Sequence, residues 1–144
     1  MNIWKKHIDV KKLTDMHIDT AVQHAGIEFL EVGENFIRAR VPVDKRTRQP
    51  YGLLHGGISI LLAEAIGSCG AHFSCPEEYI SVGLDINANH LRSAKTGWVT
   101  AKASPVHIGR STHVWHIELH NESGELICIS RLTMAILKAT KESI

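Results

Sequence analysis

Cysteine and proline are scarce in this chain, 3 and 4 of its 144 residues. Cys69, Cys75 and Cys128 are odd in number and scattered, with no C-x-x-C pair. Such a set argues against a disulfide framework and suits a reducing, cytoplasmic compartment. With so few prolines, no repeat and no low-complexity stretch there is no candidate linker, and the length matches a single domain over residues 1–144. Neither sign of charge dominates: 16 Lys and Arg face 15 Asp and Glu, a formal charge of +1. That balance argues against nucleic acid or an anionic membrane as the main partner, while leaving room for a local basic patch. The first residues, MNIWKKH, lack the apolar core of a signal peptide. The longest apolar stretch, around 58–66, contains Glu64 and is far shorter than the ~20 residues of a membrane span. A G-x-S-x-G elbow, a P-loop and a G-x-G-x-x-G turn are all absent.

Histidine, in contrast, is abundant, with ten residues. A metal site needs ligands that converge, and the tempting set on one segment is His113, His116 and His120. On a strand, His113 faces away from the other two, which argues against zinc. His7, His17, His24 and His72 stand in no motif and read as surface residues. His55 lies beside a glycine pair and is the best functional candidate among the ten.

Apolar spacing over 9–24 is compatible with a helix. Residues 26–32 and 36–43 read as strands joined by a hairpin-like Gly33-Glu34-Asn35. Residues 53–73 form the strongest helix, apolar on nearly every face and therefore central and buried. Strands follow over 79–88, 97–106, 111–120 and 126–137. In 111–120 the alternation puts His113, Trp115, Ile117 and Leu119 on one side. One central helix segregated from the strands predicts an α+β fold, an antiparallel sheet covering that helix.

Two features carry chemistry. Glu64 sits in the middle of the most apolar helix, where an unpaired carboxylate is rare. It reads either as the solvent edge of that helix or as a desolvated base or nucleophile in a cleft. Ser68, four residues on, shares its face and could orient the carboxylate or a water. The second feature is Gln49-Pro50-Tyr51-Gly52-Leu53-Leu54-His55-Gly56-Gly57. Glycines at a helix start expose backbone N–H groups at the positive end of the dipole, suited to a polarised carbonyl oxygen, and Gln49 could add an amide donor. Gly56 and Glu64 are eight residues, or roughly 12 Å of helix rise, apart. A single carbonyl needs its donor and its attacking group each within about 3–3.5 Å. Acting on one carbonyl, the two must therefore come from two copies of the chain, in an obligate homodimer with shared sites.

The segments Val43-Asp44-x-Arg46-Thr47-x-Gln49-Pro50, Gly52-Leu53-Leu54-His55-Gly56-Gly57, Ala63-Glu64-x-Ile66-Gly67-Ser68 and Gly83-Leu84-x-Ile86-Asn87-Ala88-Asn89-His90 resemble the hotdog-fold thioesterases. The likeness runs from Ile3 to Leu137 and lies nearest the branch that hydrolyses aryl- and acyl-CoA esters, 1,4-dihydroxy-2-naphthoyl-CoA of menaquinone synthesis among them. It implies a long central helix wrapped by an antiparallel sheet, dimers with a continuous sheet, and their pairing into homotetramers. It also implies hydrolysis of an acyl-CoA without any cofactor or metal. By motif, Glu64 is the catalytic carboxylate, Gln49 and the Gly56 N–H polarise the thioester carbonyl from the other subunit, His55 supports that end, and Ser68 lies beside Glu64. Gly83 falls near the substrate. His90, Leu91, Arg92 and Ser93, with His107, Ile108, Gly109, Arg110, Ser111 and Thr112, would hold the CoA portion. Glu rather than Asp at the catalytic position favours the aryl-CoA branch. A broad-range or proofreading thioesterase, a hydratase or dehydratase acting on the acyl chain, and a non-catalytic acyl-CoA-binding module are the alternatives.

Overall fold

A computed structural model describes residues 1–143. The element order is α1 (Val10–Met16), α2 (Ala21–His24), β1 (Glu28–Val32), β2 (Ile37–Pro42), α3 (Gly56–Ser74), β3 (Tyr79–His90), β4 (Trp98–Ile108), β5 (Thr112–His120) and β6 (Leu126–Lys138). The six strands form one antiparallel sheet in the order β1-β2-β4-β5-β6-β3. This sheet wraps α3, as the α+β expectation required.

The helix expected over 9–24 is two short ones. Asp9 caps α1 by accepting from the Lys12 N–H at 2.7 Å. Asp19 then adopts a left-handed φ of 60°, which stops the helix, and its N–H is taken by the Gln23 side chain at 2.8 Å. The central helix begins at Gly56, three residues later than its hydropathy suggests. Leu54 N–H donates to the Ala94 carbonyl and His55 N–H to that of Thr47, which holds residues 54 and 55 in an extended bracket. His55 becomes the N-cap, its ring nitrogen accepting from the Gly57 N–H at 2.8 Å.

Alternation builds the core. His113, Trp115, Ile117 and Leu119 of β5 are buried, as are Leu132 and Met134 of β6 and Ala101 and Ala103 of β4. The sheet can approach α3 closely because the helix carries glycine at the contact. A Cβ on Gly70 would lie 2.6 Å from the Trp115 ring, and one on Gly67 would lie 2.7 Å from Leu132. With 19 residues, α3 is longer than the apolar stretch that marked it, and it is long and apolar enough to cross a membrane. Its surroundings decide otherwise, since Leu62, Ala63, Ile66, Ala71 and Phe73 are buried under the sheet.

The two sheet edges differ. On β1, Glu28 and Glu31 pair with Arg40 and Arg38, and a bulge between Phe29 and Glu31 breaks the edge. Both devices discourage further pairing. The 12-residue β3 is long and open, with Val82 and Leu84 exposed and a bulge between Gly83 and Asp85.

Candidate active site

The loop before α3 and the loop after β3 meet in a cleft of about 410 Å³ at the N-terminal end of α3. Gln49, Gly56, His90 and the segment Leu91–Ala94 line it, along with Ser59 and Ile127. The orientation of Gln49 is settled by its neighbours. Its Oε1 accepts from the Tyr51 N–H at 2.5 Å and from the Leu53 N–H at 3.3 Å, which leaves the amide NH2 as the free end. Gly57 spends its N–H on the His55 ring. Among the described residues no acceptor meets the Gly56 N–H, at the positive end of the α3 dipole. Two donors therefore border one cleft without an internal acceptor. The His90 ring covers Gly56, its Nε2 3.1 Å from where a Cβ would stand.

Glu64 does not line this cleft. It lies two turns further along α3, half-buried, with its Oε1 2.8 Å from the position of a Cβ on Gly83. A side chain at 83 would push the carboxylate from this position against the open edge strand. Among the described residues no side chain or backbone N–H donates to that carboxylate. Gly56 and Glu64 lie on the same helix, eight residues or roughly 12 Å of rise apart.

Several assignments change with the structure in view. Ser68 does not orient the Glu64 carboxylate, because its Oγ donates back to the Glu64 main-chain carbonyl at 2.6 Å. Arg92 is already engaged. Its guanidinium donates to the Leu126 carbonyl at 3.1 Å and pairs with Glu125 at 3.4 Å. His17 and His72 are not plain surface residues. His17 bonds the Leu13 carbonyl at 2.6 Å and packs on Phe29, and burial lowers the pKa of His72, helped by Lys6 and Lys12. His116 and His120 flank Glu118 on the outer sheet face, away from His113. No group of three metal-binding side chains converges among the described residues.

The segment at 107–112 lies elsewhere, at the turn between β4 and β5. Ile108, Gly109 and Arg110 border a second cavity of about 460 Å³, together with Lys5, Ser74, Tyr79, His113 and Ile136. This cavity flanks the start of β3, whereas the Gln49–Gly56 cleft flanks its end. The buried His113 at the second cavity carried only an alternation signal in the sequence. Its contacts depend on the helix end packed above it.

A family model for the thioesterase superfamily matches residues 51–128. The 1,4-dihydroxy-2-naphthoyl-CoA hydrolase of Escherichia coli is 47% identical over 135 residues, covering 94% of this chain and 99% of that protein. The proofreading thioesterase EntH of Cronobacter turicensis is 39% identical, covering 94% and 98%. The crystal structure of thioesterase HI1161 from Haemophilus influenzae superposes with a TM-score of 0.95 at 44% identity, covering 99% of each chain. The sheet wrapped on α3, the match across the glycine loop and central helix, and these relatives establish that the chain belongs to the thioesterase superfamily, as a thioester hydrolase of hotdog fold.

Proposed function

We propose that the chain works as a homodimer whose two active sites each combine Glu64 of one subunit with Gln49 and Gly56 of the other, and that it hydrolyses aromatic acyl-CoA esters. The observation that carries this reading is the separation of parts within one chain. Two free donors border one cleft, and a carboxylate without a donor lies eight residues along the helix beside an open strand edge. Antiparallel pairing of two β3 strands joins them. If Gly83 of one subunit faces His90 of the partner subunit, the two-fold axis falls between Ile86 and Asn87. Each Glu64 then lies beside the partner's His90, the ring that covers Gly56. The second cavity of one subunit also meets the cleft of the other, so that one extended ester can run across both.

In this site the Gln49 amide and the Gly56 N–H stabilise the negative charge that grows on the thioester oxygen. Glu64 takes a proton from the attacking water or itself attacks the carbonyl carbon to give a mixed anhydride that water then opens. The leaving group in both routes is the CoA thiolate. Arg92 and Arg110 meet phosphate, and Arg110 is the readier of the two because Arg92 must first exchange its contact with Glu125. The aryl preference is supported by the E. coli relative and by Glu at position 64. The Cronobacter relative favours a second reading, removal of wrong acyl groups from carriers. Thiol release from a panel of aryl-CoA, alkyl-CoA and acyl-carrier substrates separates them. Faster turnover of alkyl-CoA or of carrier-bound acyl groups overturns the aryl-CoA assignment.

Subunit mixing tests the shared site. Glu64→Ala and Gln49→Ala are each expected to be inactive alone. After mixing and exchange, half of the dimers are mixed, and each mixed dimer has one intact site. About a quarter of wild-type activity should return. No recovery in demonstrably exchanged dimers means that the site lies within one chain.

A further inference from the structure

We propose that Ser59 is a substrate-binding residue, its hydroxyl accepting a hydrogen bond from the first amide N–H of the pantetheine arm; this rests on the reading that Gln49 and Gly56 hold the thioester carbonyl. Helix α3 carries three serines, and two of them turn back on the helix. Ser68 Oγ donates to the Glu64 carbonyl at 2.6 Å and Ser74 Oγ to the Gly70 carbonyl at 2.7 Å. Ser59 does not follow them. The carbonyl four residues before it, that of His55, already accepts the Ile58 N–H at 2.9 Å and the Ser59 N–H at 3.3 Å. A carbonyl oxygen has two lone pairs, so the hydroxyl has no place there. Ser59 is 4% exposed and lines the Gln49–Gly56 cleft, and no hydrogen-bond partner meets its Oγ among the described residues. A buried hydroxyl left without a partner points to a ligand.

The cleft has a floor and a rim. Ser59, Ala94 and Ile127 are the buried members of its lining, whereas His90, Leu91, Arg92 and Ser93 are exposed. The Ala94 carbonyl accepts from the Leu54 N–H, and the Ile127 carbonyl from the N–H groups of Leu91 and Arg92. The Ser59 hydroxyl therefore remains as the polar side chain of an otherwise apolar floor. It can accept as well as donate, unlike the Gln49 amide end and the Gly56 N–H. The thioester oxygen is met by those two donors, and neither the carbonyl carbon nor the sulfur has a hydrogen to give. In the thiol part, the nearest donor is the amide N–H two methylenes beyond the sulfur. Ser59 follows Gly56 by three residues, or ~4.5 Å of rise, and a helical side chain leans toward the N-terminus. The sulfur and its two methylenes bridge a gap of this size. The basic rim at His90 and Arg92 lies on the side where the phosphates of the same arm would follow.

The test compares two thioesters of one aryl acid, made with N-acetylcysteamine and with 2-mercaptoethyl acetate, in which an ester oxygen replaces the amide N–H. Wild-type kcat/KM should be about tenfold higher for the amide thioester, the scale of one hydrogen bond. Ser59→Ala should bring the two within about twofold by losing turnover of the amide thioester. It should also raise KM for the full CoA ester about tenfold with kcat within about twofold. A wild-type ratio near one, a ratio unchanged in Ser59→Ala, or an unchanged KM for the CoA ester overturns the proposal. So does a Ser59→Ala effect that follows a hydroxyl on the acyl group instead of the amide, read from 2-hydroxybenzoyl against benzoyl esters of one thiol. The variant should fold, because alanine favours a helix and leaves no partner unpaired. A lower urea midpoint in Ser59→Ala means that the hydroxyl serves the fold, and this too overturns the proposal. Gln49→Ala separates the two readings. It should slow both thioesters alike, and wild-type turnover of both in that variant means that the cleft does not hold the carbonyl. Slowed turnover there with an unchanged ratio in Ser59→Ala rejects the role of Ser59 alone.

Discussion

Glutamine 49 and glutamate 64 illustrate how much a side chain's role depends on what its neighbours already use. The Gln49 carbonyl end is consumed by two backbone N–H groups of its own loop, so its amide end is the part left free to donate. Replacing Gln49 by Glu keeps the acceptor and removes the donor. We expect kcat to fall by about 10²–10³ with the loop intact, as for loss of an oxyanion donor, and steady-state kinetics with circular dichroism check it. Glu64→Ala should lower kcat by several orders of magnitude without unfolding the chain, because the half-buried carboxylate has no partner to orphan among the described residues. Wild-type turnover in that variant would falsify its catalytic assignment. Arg110→Ala should raise KM several-fold at constant kcat, because its proposed contact is to a phosphate that does not react.

Helix α3 shows what a single element must satisfy at once. Its apolar faces come from the sequence directly, and Leu62, Ala63 and Ile66 are buried as their spacing predicts. Its start does not, because the hydropathy continues through Leu53 and Leu54 while long-range hydrogen bonds to Thr47 and Ala94 hold that stretch extended. His55 was legible as a residue of interest beside the glycines, but its capping bond to Gly57 depends on that bracket. Gly70 has a different duty. It lets the Trp115 ring pack directly on the helix backbone, and a methyl group there meets the ring at 2.6 Å. Gly70→Ala, which would otherwise favour a helix by about 1 kcal/mol, should instead destabilise the protein by about 1–3 kcal/mol through overpacking. Urea unfolding decides the sign.

Across the molecule, buried ionisable groups set the pH range of stability. Burial lowers the pKa of His113 and of His72 below the ordinary 6.5. The unfolded chain therefore binds more protons than the folded one as pH falls below 6.5, and stability declines there. At the other end, burial pushes the Cys69 thiol from 9.0 up to about 12, so stability declines as pH rises above 9. Denaturant midpoints should be level between these limits and drop on both sides. His113→Gln should flatten the acid limb, and an unchanged acid limb would trace it to other groups. Cys69 should also resist alkylation in the native protein, since its thiolate is disfavoured and its side chain buried.

Local chemistry alone was enough to place the strands, the buried helix, the glycine loop before it and the acid within it, because period, glycine pairs and an acid in an apolar run are properties of neighbouring residues. The distance between Gly56 and Glu64 was also legible, since helical rise is the same everywhere. Tertiary structure decided the rest. It broke the first helix at Asp19 and turned Ser68 toward the main chain. It tied Arg92 to Glu125 and set Gly83 against the Glu64 carboxylate. It also brought His113 under Ser74, residues 39 apart in the chain. Each of these outcomes depends on which strand lies beside which and on which hydrogen-bonding groups remain free once the sheet has closed on the helix, and neither is a property of any short stretch of sequence.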